Sequence, residues 1–313
     1  MPDSNSLPLV SIITPSYNQA AYLEATLHSV FQQEYSPIEY IVIDGGSTDG
    51  SREILQHHAA RFAYWVSEPD GGQAEAINKG LAHARGEYIA WLNSDDLYLA
   101  GAVRQAVAVL ESDPEVGLVY GQLHSIDAQG EIFNTIRYQP YDLVDLLSFR
   151  IIGQPSVFIR RSCLARAGIL DPGYQYLLDH QLWIRIAQVA ELRYVPEVWA
   201  SARHHEAAKN VAHAADFGNE VYRILAWAQS QPDLAALLVQ HQRRVMAGAY
   251  RLDARYLLDG GAFAPSLLAY WRAFTQQPGY ALQHWKRIAY AGAGVLGLSP
   301  AIGRMPTGGT KSG

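Results

Sequence analysis

The sequence predicts an α/β protein, with a doubly wound, mostly parallel sheet flanked by helices and a helical extension at the C-terminal end. Three observations lead there. Short apolar runs alternate with helically spaced stretches over the first hundred residues. Each run stops at a polar loop, which gathers the polar residues at the carboxyl edge of the sheet. Charge also changes sign along the chain: residues 1–204 hold 13 Lys/Arg against 24 Asp/Glu, a net −11, while residues 205–313 hold 11 against 6, a net +5.

Val10-Ser11-Ile12-Ile13 is a β-branched run that ends at Pro15 and reads as a buried strand. Ala20, Leu23, Leu27, Val30 and Phe31 then repeat at helical spacing. Ile38 to Ile43 is a second strand, closed by Asp44-Gly45-Gly46, with Ser47 or Thr48 placed to cap the next helix. Ala63 to Val66 is a third strand, Gln73 to Ala84 a helix, and Tyr88 to Leu92 a fourth strand. Such alternation implies crossover connections and a parallel sheet. A helix near 100–111 follows, then strands near 116–120, 122–127, 131–137 and 155–159. A helix over 179–189 precedes strands at 192–195 and 198–203. Beyond about residue 210 the spacing is helical only, and Thr307 to Gly313 reads as a disordered tail.

Composition is that of a globular chain, 313 residues with 49% hydrophobic and 17% charged side chains. One cysteine, Cys163, excludes an intramolecular disulfide and fits a reducing compartment. The first residues lack a basic segment followed by an apolar one, so no signal peptide is expected and the location is read as cytoplasmic. Nucleic acid is not an expected partner. The acidic larger part repels phosphates, and the basic part carries no nucleic-acid motif.

The strand-end loops carry the chemistry: Pro15-Ser16-Tyr17-Asn18, Asp44, Glu68-Pro69-Asp70 and Asn93-Ser94-Asp95-Asp96. Adjacent carboxylates at a strand end can hold Mg²⁺ or Mn²⁺ while leaving positions open for substrate phosphates. The competing reading makes the Asp95-Asp96 pair a helix cap. Asp44 can accept the imide N–H of uracil or thymine, or the N1–H and N2–H of guanine; it can equally be a turn residue before Gly45-Gly46. Asp70 precedes Gly71-Gly72, which allow close backbone approach to a ligand. Arg85 can fork onto a phosphate or pair with a surface carboxylate.

Four segments in this order resemble the inverting family-2 glycosyltransferases of the GT-A fold, whose sheet is Rossmann-like. They are Val10-Ser11-Ile12-Ile13-Thr14-Pro15-Ser16-Tyr17-Asn18, Ile43-Asp44-Gly45-Gly46-Ser47-Thr48-Asp49-Gly50, Ala76-Ile77-Asn78-Lys79-Gly80 with Ala84-Arg85-Gly86, and Trp91-Leu92-Asn93-Ser94-Asp95-Asp96. The resemblance covers roughly residues 8 to 210. It implies a catalytic domain over 1–210, with a nucleotide-sugar half at 8–100 and an acceptor half at 101–210. A helical, basic extension over 211–306 and the tail 307–313 follow.

The resemblance implies transfer of a sugar from a UDP-, dTDP- or GDP-sugar to an acceptor hydroxyl with inversion. The implied setting is bacterial-type synthesis of cell-surface polysaccharide or glycolipid. Mn²⁺ or Mg²⁺ is the implied cofactor, and a sugar, glycolipid or lipid-linked molecule the acceptor. Donor contacts are expected from Pro15, Ser16, Tyr17, Asn18, Asp44, Asp70, Arg85, Asn93, Ser94 and Asp96, and metal ligation from Asp95. The family's metal motif often begins with Asp where this chain has Asn93, which removes one negative charge. Leu178-Asp179-His180-Gln181-Leu182-Trp183 resembles the family's Glu-Asp before a Leu-Trp helix, with Leu178 in place of Glu. Asp179 is thereby the expected catalytic base, its other reading being a helix N-cap. Arg203-His204-His205 resembles a late Arg-x-His element, and His205 is the expected second metal ligand, against an exposed strand end. Gln154, Ser156 and Trp183 are expected beside the acceptor.

From His241 onward there are 9 Lys/Arg against 2 Asp/Glu, interleaved with Trp271, Trp285, Tyr270, Tyr280 and Tyr290. That suits peripheral docking on an anionic membrane, on its inner face. The alternative is a helical extension packed on the catalytic domain or on a second copy. Ile288 to Ile302 is apolar but too short and glycine-broken for a span. Two other functions compete with transfer: a sugar-nucleotidyltransferase, whose first loop would carry Gly, Arg and Lys that Thr14 to Gln19 lacks, and a non-catalytic nucleotide-sugar-binding protein.

Overall fold

A computed structural model describes residues 7–205 and 214–298. The chain divides into two compact units, one running to Pro140 and resuming over Ile152–Arg203, the other made of Tyr141–Ile151 and the chain from His204 on.

The first unit opens with β1 (Val10–Ser16), α1 (Ala20–Phe31), β2 (Ile38–Asp44), α2 (Ser51–His57), β3 (Tyr64–Ser67), α3 (Gln73–His83) and β4 (Tyr88–Trp91). These strands lie side by side in the order β3-β2-β1-β4, all parallel. β1 is buried along its whole length, β2 over all but its first residue, and β4 throughout. Burial on both faces is why these segments read as continuous apolar runs. α3 lies close on β1, where Gly80 makes room: a Cβ there would stand 2.5 Å from Ile13 Cγ2.

The unit continues with β5 (Leu97–Tyr98), α4 (Ala102–Ser112), β6 (Val116–Ile126), β7 (Ile132–Ile136), β8 (Val157–Arg160), α6 (Arg161–Ala167), α7 (Leu178–Ile186) and β9 (Glu191–Arg203). The short α5 (Leu143–Leu147) falls to the other unit. Past β4 the sheet turns mixed. β8 enters antiparallel between β4 and β6, β9 lies parallel to β6, and β5 and β7 pair antiparallel at the margins. Two expected strand pairs are each one long strand, because register shifts near Tyr120/Gln122 and Gln122/Leu123 absorb the irregular pattern without breaking β6 or β9. Pro155 and Ser156, expected to begin a strand, belong instead to a 3₁₀ turn over Gln154–Ser156. The fold is the expected α/β class with helical layers, its parallel part confined to the N-terminal half.

Neither Ser47 nor Thr48 caps α2. Gly50 takes the cap position in the left-handed region, at φ 100°, and α2 starts at Ser51. The α1 start lacks a side-chain cap of its own; Ala20 N–H donates to Asp49 Oδ2 at 2.9 Å and Gln19 N–H to Ser51 Oγ at 3.2 Å. Those bonds satisfy orphan helix donors across two loops and tie the starts of α1 and α2 together.

In the second unit, α8 (Ala214–Gln229), α9 (Pro232–Gln240), α10 (Gln242–Asp259), α11 (Phe263–Gln276), α12 (Pro278–Leu282) and α13 (Trp285–Val295) follow one another. Residues 141–151 belong here for a packing reason. Gly248 of α10 sits against the Ser148 backbone so closely that no Cβ fits, and Arg251 Nη2 donates to Phe149 O at 2.6 Å. The tail expected over 307–313 lies outside the described residues.

Candidate active site

The carboxyl ends of β1, β2, β3 and β4 carry four loops, as the sequence implied. Two of them form one bonded structure. Asn18 adopts the left-handed region at φ 51°, a conformation Asn tolerates better than most residues. Its N–H donates to Ser47 Oγ at 2.8 Å, and its Oδ1 accepts from Thr48 N–H at 2.9 Å. Pro15 and Ser16 are buried, whereas Tyr17 is 64% exposed. Of this expected donor loop, Tyr17 offers the free ring face, and Asn18 acts as a strap between loops.

Asp44 is not presented to a ligand. It is fully buried, and its carboxylate accepts from Gly46 N–H (3.2 Å), Ser47 N–H (2.9 Å), Ser47 Oγ–H (2.5 Å) and Ser67 Oγ–H (2.7 Å). Three donors converge on Oδ2 and one on Oδ1, so the carboxylate is engaged by its own loop and by β3. The expectation that Asp44 reads a base is corrected: it is the organiser of its loop. The adjoining Gly45 leaves a gap. A Cβ there would lie 3.1 Å from Asp70 Oδ2 and 3.3 Å from Tyr17 Cδ2. Asp70 is half-buried, and its Oδ1 accepts from Gly72 N–H at 2.8 Å. The Asp70 carboxylate and the Tyr17 ring therefore meet over a residue without a side chain.

The last loop follows β4. Asn93 Oδ1 accepts from Gln73 Nε2 at 2.7 Å, and its Nδ2 donates to Asp96 Oδ2 at 3.2 Å. Asp96 is 5% exposed and also accepts from Arg203 N–H at 2.9 Å through Oδ1. Burial first, then the adjacent Asp95 charge, pushes the Asp96 carboxyl well above the usual carboxylate range. Arg203 directs its guanidinium to main-chain carbonyls: Nε to Asp95 O (2.9 Å) and Nη1 to Asp127 O (3.1 Å) and Ala128 O (3.2 Å). Asp96 and Arg203 thus lock the end of β9 to this loop. Ser94 is buried, and Asp95 is the half-exposed carboxylate of the four residues. An acidic pair held together by burial and main-chain clamps, with oxygen donors only, fits a hard divalent cation.

α7 is joined to β4 by ring stacking, Trp183 on Trp91 with centroids 5.2 Å apart. Asp179 lies one turn earlier on the same helical face. It sits in the first turn, half-buried, with Oδ1 accepting from His180 N–H at 2.7 Å. The cap position belongs to Leu177, so the N-cap reading of Asp179 is excluded. Just before this helix, Gln175 Oε1 stands 3.5 Å from where a Cβ on Gly72 would be, and Asn78 bonds both ways to the Leu170 backbone. The segment leading into α7 therefore runs over α3 to the loop that carries Asp70.

Other expected residues fall elsewhere. Arg85 stands ahead of β4, at the amino edge of the sheet, with Nε 2.6 Å from Glu39 Oε1; it pairs with a carboxylate and does not join the donor loops. Ser156 is fully buried and donates to Gly121 O at 2.8 Å, a staple from the 3₁₀ turn before β8 to β6. Trp183 is a fully buried wall. Gln154, 7% exposed, donates to Trp91 O at 2.6 Å. His205 follows β9 and is counted with the second unit. Sequence reasoning passed over Gln73, Gln175, Ser67 and the clamping role of Arg203. The last was partly signalled by Arg-His-His at a strand end.

The carboxyl edge of this sheet thus carries a metal-compatible carboxylate after β4, and the helix stacked on β4 bears an acid. The match to the family model "Glycosyl transferase family 2" spans residues 11–170, and the chain belongs to that family. An uncharacterised glycosyltransferase of Rickettsia typhi is 30% identical over 209 residues, covering 64% of this chain and 65% of that protein. The chain thus spans just under two thirds of that relative's length. Among solved structures, Staphylococcus aureus TarS 1–349 in complex with UDP-GlcNAc shares the fold, with a TM-score of 0.61, 14% identity and 92% of each chain covered. So does the mannosyltransferase PcManGT of Pyrobaculum calidifontis in complex with GDP-Man and Mn²⁺, with a TM-score of 0.61, 22% identity, and 95% of this chain and 89% of that one covered.

Proposed function

We propose that this protein is a divalent-metal-dependent glycosyltransferase that moves a sugar from a nucleoside-diphosphate-sugar to an acceptor hydroxyl with inversion. One observation carries the reading: the Trp91–Trp183 stack couples the strand leading to Asp95 with the helix bearing Asp179. TarS and PcManGT, which share the fold, are seen with UDP-GlcNAc and with GDP-Man and Mn²⁺, and that supports the donor class.

In this reading Tyr17 offers its face to the base, and Asp70 accepts a base N–H through Oδ2. A base with an imide or N1–H donor suits it, as in UDP, dTDP or GDP. Asp95 would hold Mg²⁺ or Mn²⁺. When bound, the metal stabilises negative charge on the departing diphosphate. Asp179 takes the proton of the acceptor hydroxyl as that oxygen attacks the anomeric carbon and the bond to the diphosphate breaks. A single displacement inverts the centre. Gln154 and Trp183 form the wall behind the acceptor, a sugar hydroxyl of a glycan or lipid-linked saccharide.

The second unit is assigned to docking on an anionic membrane surface, on its inner face. Trp271, Leu282, Trp285, Leu296 and Leu298 are exposed there, and Lys286 lies 5.8 Å over the Trp285 ring. No helix among the described residues is long and apolar enough to cross a membrane.

The test is a donor screen with UDP-, dTDP- and GDP-sugars and Mn²⁺ or Mg²⁺, followed by Asp179→Asn. Loss of transfer and of donor hydrolysis, with donor binding retained, is expected of the variant. Normal turnover by Asp179→Asn removes the assigned role, and donor binding without hydrolysis or transfer by the wild type favours a non-catalytic binding protein.

A further inference from the structure

Away from the carboxyl edge, three metal-ligating side chains converge on the outer surface of the first unit. Glu24 and His28 are one turn apart on α1, and His58 directly follows α2. Glu24 Oε1 lies 3.1 Å from His28 Nε2 and 2.7 Å from His58 Nε2. All three ligand atoms fall within 4.8 Å of one another. Zinc with bonds of about 2.0–2.1 Å sets tetrahedral ligand atoms about 3.3 Å apart, so the two Glu24 contacts would open by roughly 0.2 and 0.6 Å to admit the ion.

The rings are seated for this. Phe31 meets His28 edge-on at 6.1 Å and His58 at a tilt at 5.6 Å, and itself stacks on Phe62 at 6.1 Å. His58 is 11% exposed, while Glu24 and His28 are about half exposed, which leaves the outer side open to water. Arg61 lies over the Phe31 ring at 3.5 Å, and His57 contacts His58 ring to ring at 4.9 Å.

We propose that Glu24, His28 and His58 form a surface site for a borderline divalent ion of the zinc class, with water as the fourth ligand. Two imidazole nitrogens and one carboxylate oxygen suit Zn²⁺, whereas Mg²⁺ prefers an all-oxygen set such as that at Asp95. The ion clamps the middle of α1 to the end of α2. The starts of the same helices are already tied through Asp49 and Ser51, next to the Tyr17 loop. Bound zinc therefore holds that loop pair from its far side. The site does not depend on the proposed transfer reaction.

The test uses untagged full-length protein stripped of metal with chelator. Zn²⁺ is titrated by calorimetry, and Co²⁺ is added to read the visible bands of a four-coordinate nitrogen–oxygen site. Wild type is expected to take up a zinc equivalent that raises Tm by about 5 °C at large excess over Kd. His58→Ala and Glu24→Gln should lose that equivalent, with affinity falling at least tenfold, while His57→Ala keeps it. Circular dichroism checks that each variant folds. A wild type that takes up no zinc, or zinc uptake and Tm shift unchanged in His58→Ala, overturns the site and leaves Glu24 as an ion-pair partner of the two histidines.

Discussion

Trp91 and Trp183 stack at 5.2 Å with their planes 25° apart, and both are buried. Trp91 is the last residue of β4 before the acidic loop, and Trp183 shares a helical face with Asp179. The stack is thus the mechanical link between the two carboxylates on which the proposed chemistry rests. Trp183→Ala empties a large buried volume and is expected to cost about 3–5 kcal/mol. Trp183→Phe keeps a ring against Trp91 and should cost less than half as much. Urea unfolding of the two variants measures this, and transfer activity should track the same order.

Asp44 and Asp70 should separate cleanly by experiment. Asp44→Ala strips four donors of their acceptor and is expected to destabilise the fold by roughly 3 kcal/mol. It should weaken every nucleotide alike. Asp70→Asn touches a half-buried group and should leave stability within about 0.5 kcal/mol. It exchanges a pure acceptor for an amide that also donates, so preference for UDP over CDP is expected to fall tenfold or more. Competition binding of UDP and CDP to both variants measures the contrast; a preference lost in Asp44→Ala and kept in Asp70→Asn reverses the assignment.

These residues also mark where sequence reading succeeds. β1, β2 and β4 were legible because burial on both faces leaves only apolar side chains, whatever else the fold does. The polar loops were legible because they interrupt those runs. Which way Asp44 points was not. Its partners include Ser67, on the neighbouring strand β3, so a loop carboxylate and a buried one look identical in sequence. The gap at Gly45 has meaning only beside Asp70, which the chain brings back after a further strand. Arg85 fits a phosphate or a carboxylate equally until Glu39 is seen beside it. Residues 141–151 carry no local sign of joining the second unit, because Gly248 against Ser148 is a contact across a hundred residues.

The membrane assignment has its own measurement. Trp271 is 61% and Trp285 62% exposed, and such rings favour the bilayer interface when basic residues surround them. Full-length protein is expected to co-sediment with vesicles containing anionic lipid at low salt, and to leave neutral vesicles alone. Trp271→Ser and Trp285→Ser should each weaken partitioning by about tenfold, and added salt should weaken it in all forms. Wild-type binding by a protein carrying both substitutions would mean the tryptophans face something other than lipid.

Acid sensitivity should come from His284 in the second unit. Burial first, and then Arg251, Arg287, Arg255 and Arg150, pull its pKa down from 6.5 to about 3. In the folded protein the ring therefore stays neutral across a range where the unfolded chain binds a proton. More protons bound to the unfolded state means stability that rises with pH. The contribution is fully present above about 6.5 and is lost progressively as pH falls from 6.5 toward 3. The limiting slope is about 1.4 kcal/mol per pH unit, reduced somewhat because the ring is not fully buried. Urea midpoints at pH 7.5, 6.5 and 5.5 should therefore fall together in the wild type. In His284→Asn, where the new side chain does not titrate, the drop between pH 6.5 and 5.5 should shrink by about 1 kcal/mol. An identical pH profile in the two proteins would place the acid-sensitive group elsewhere.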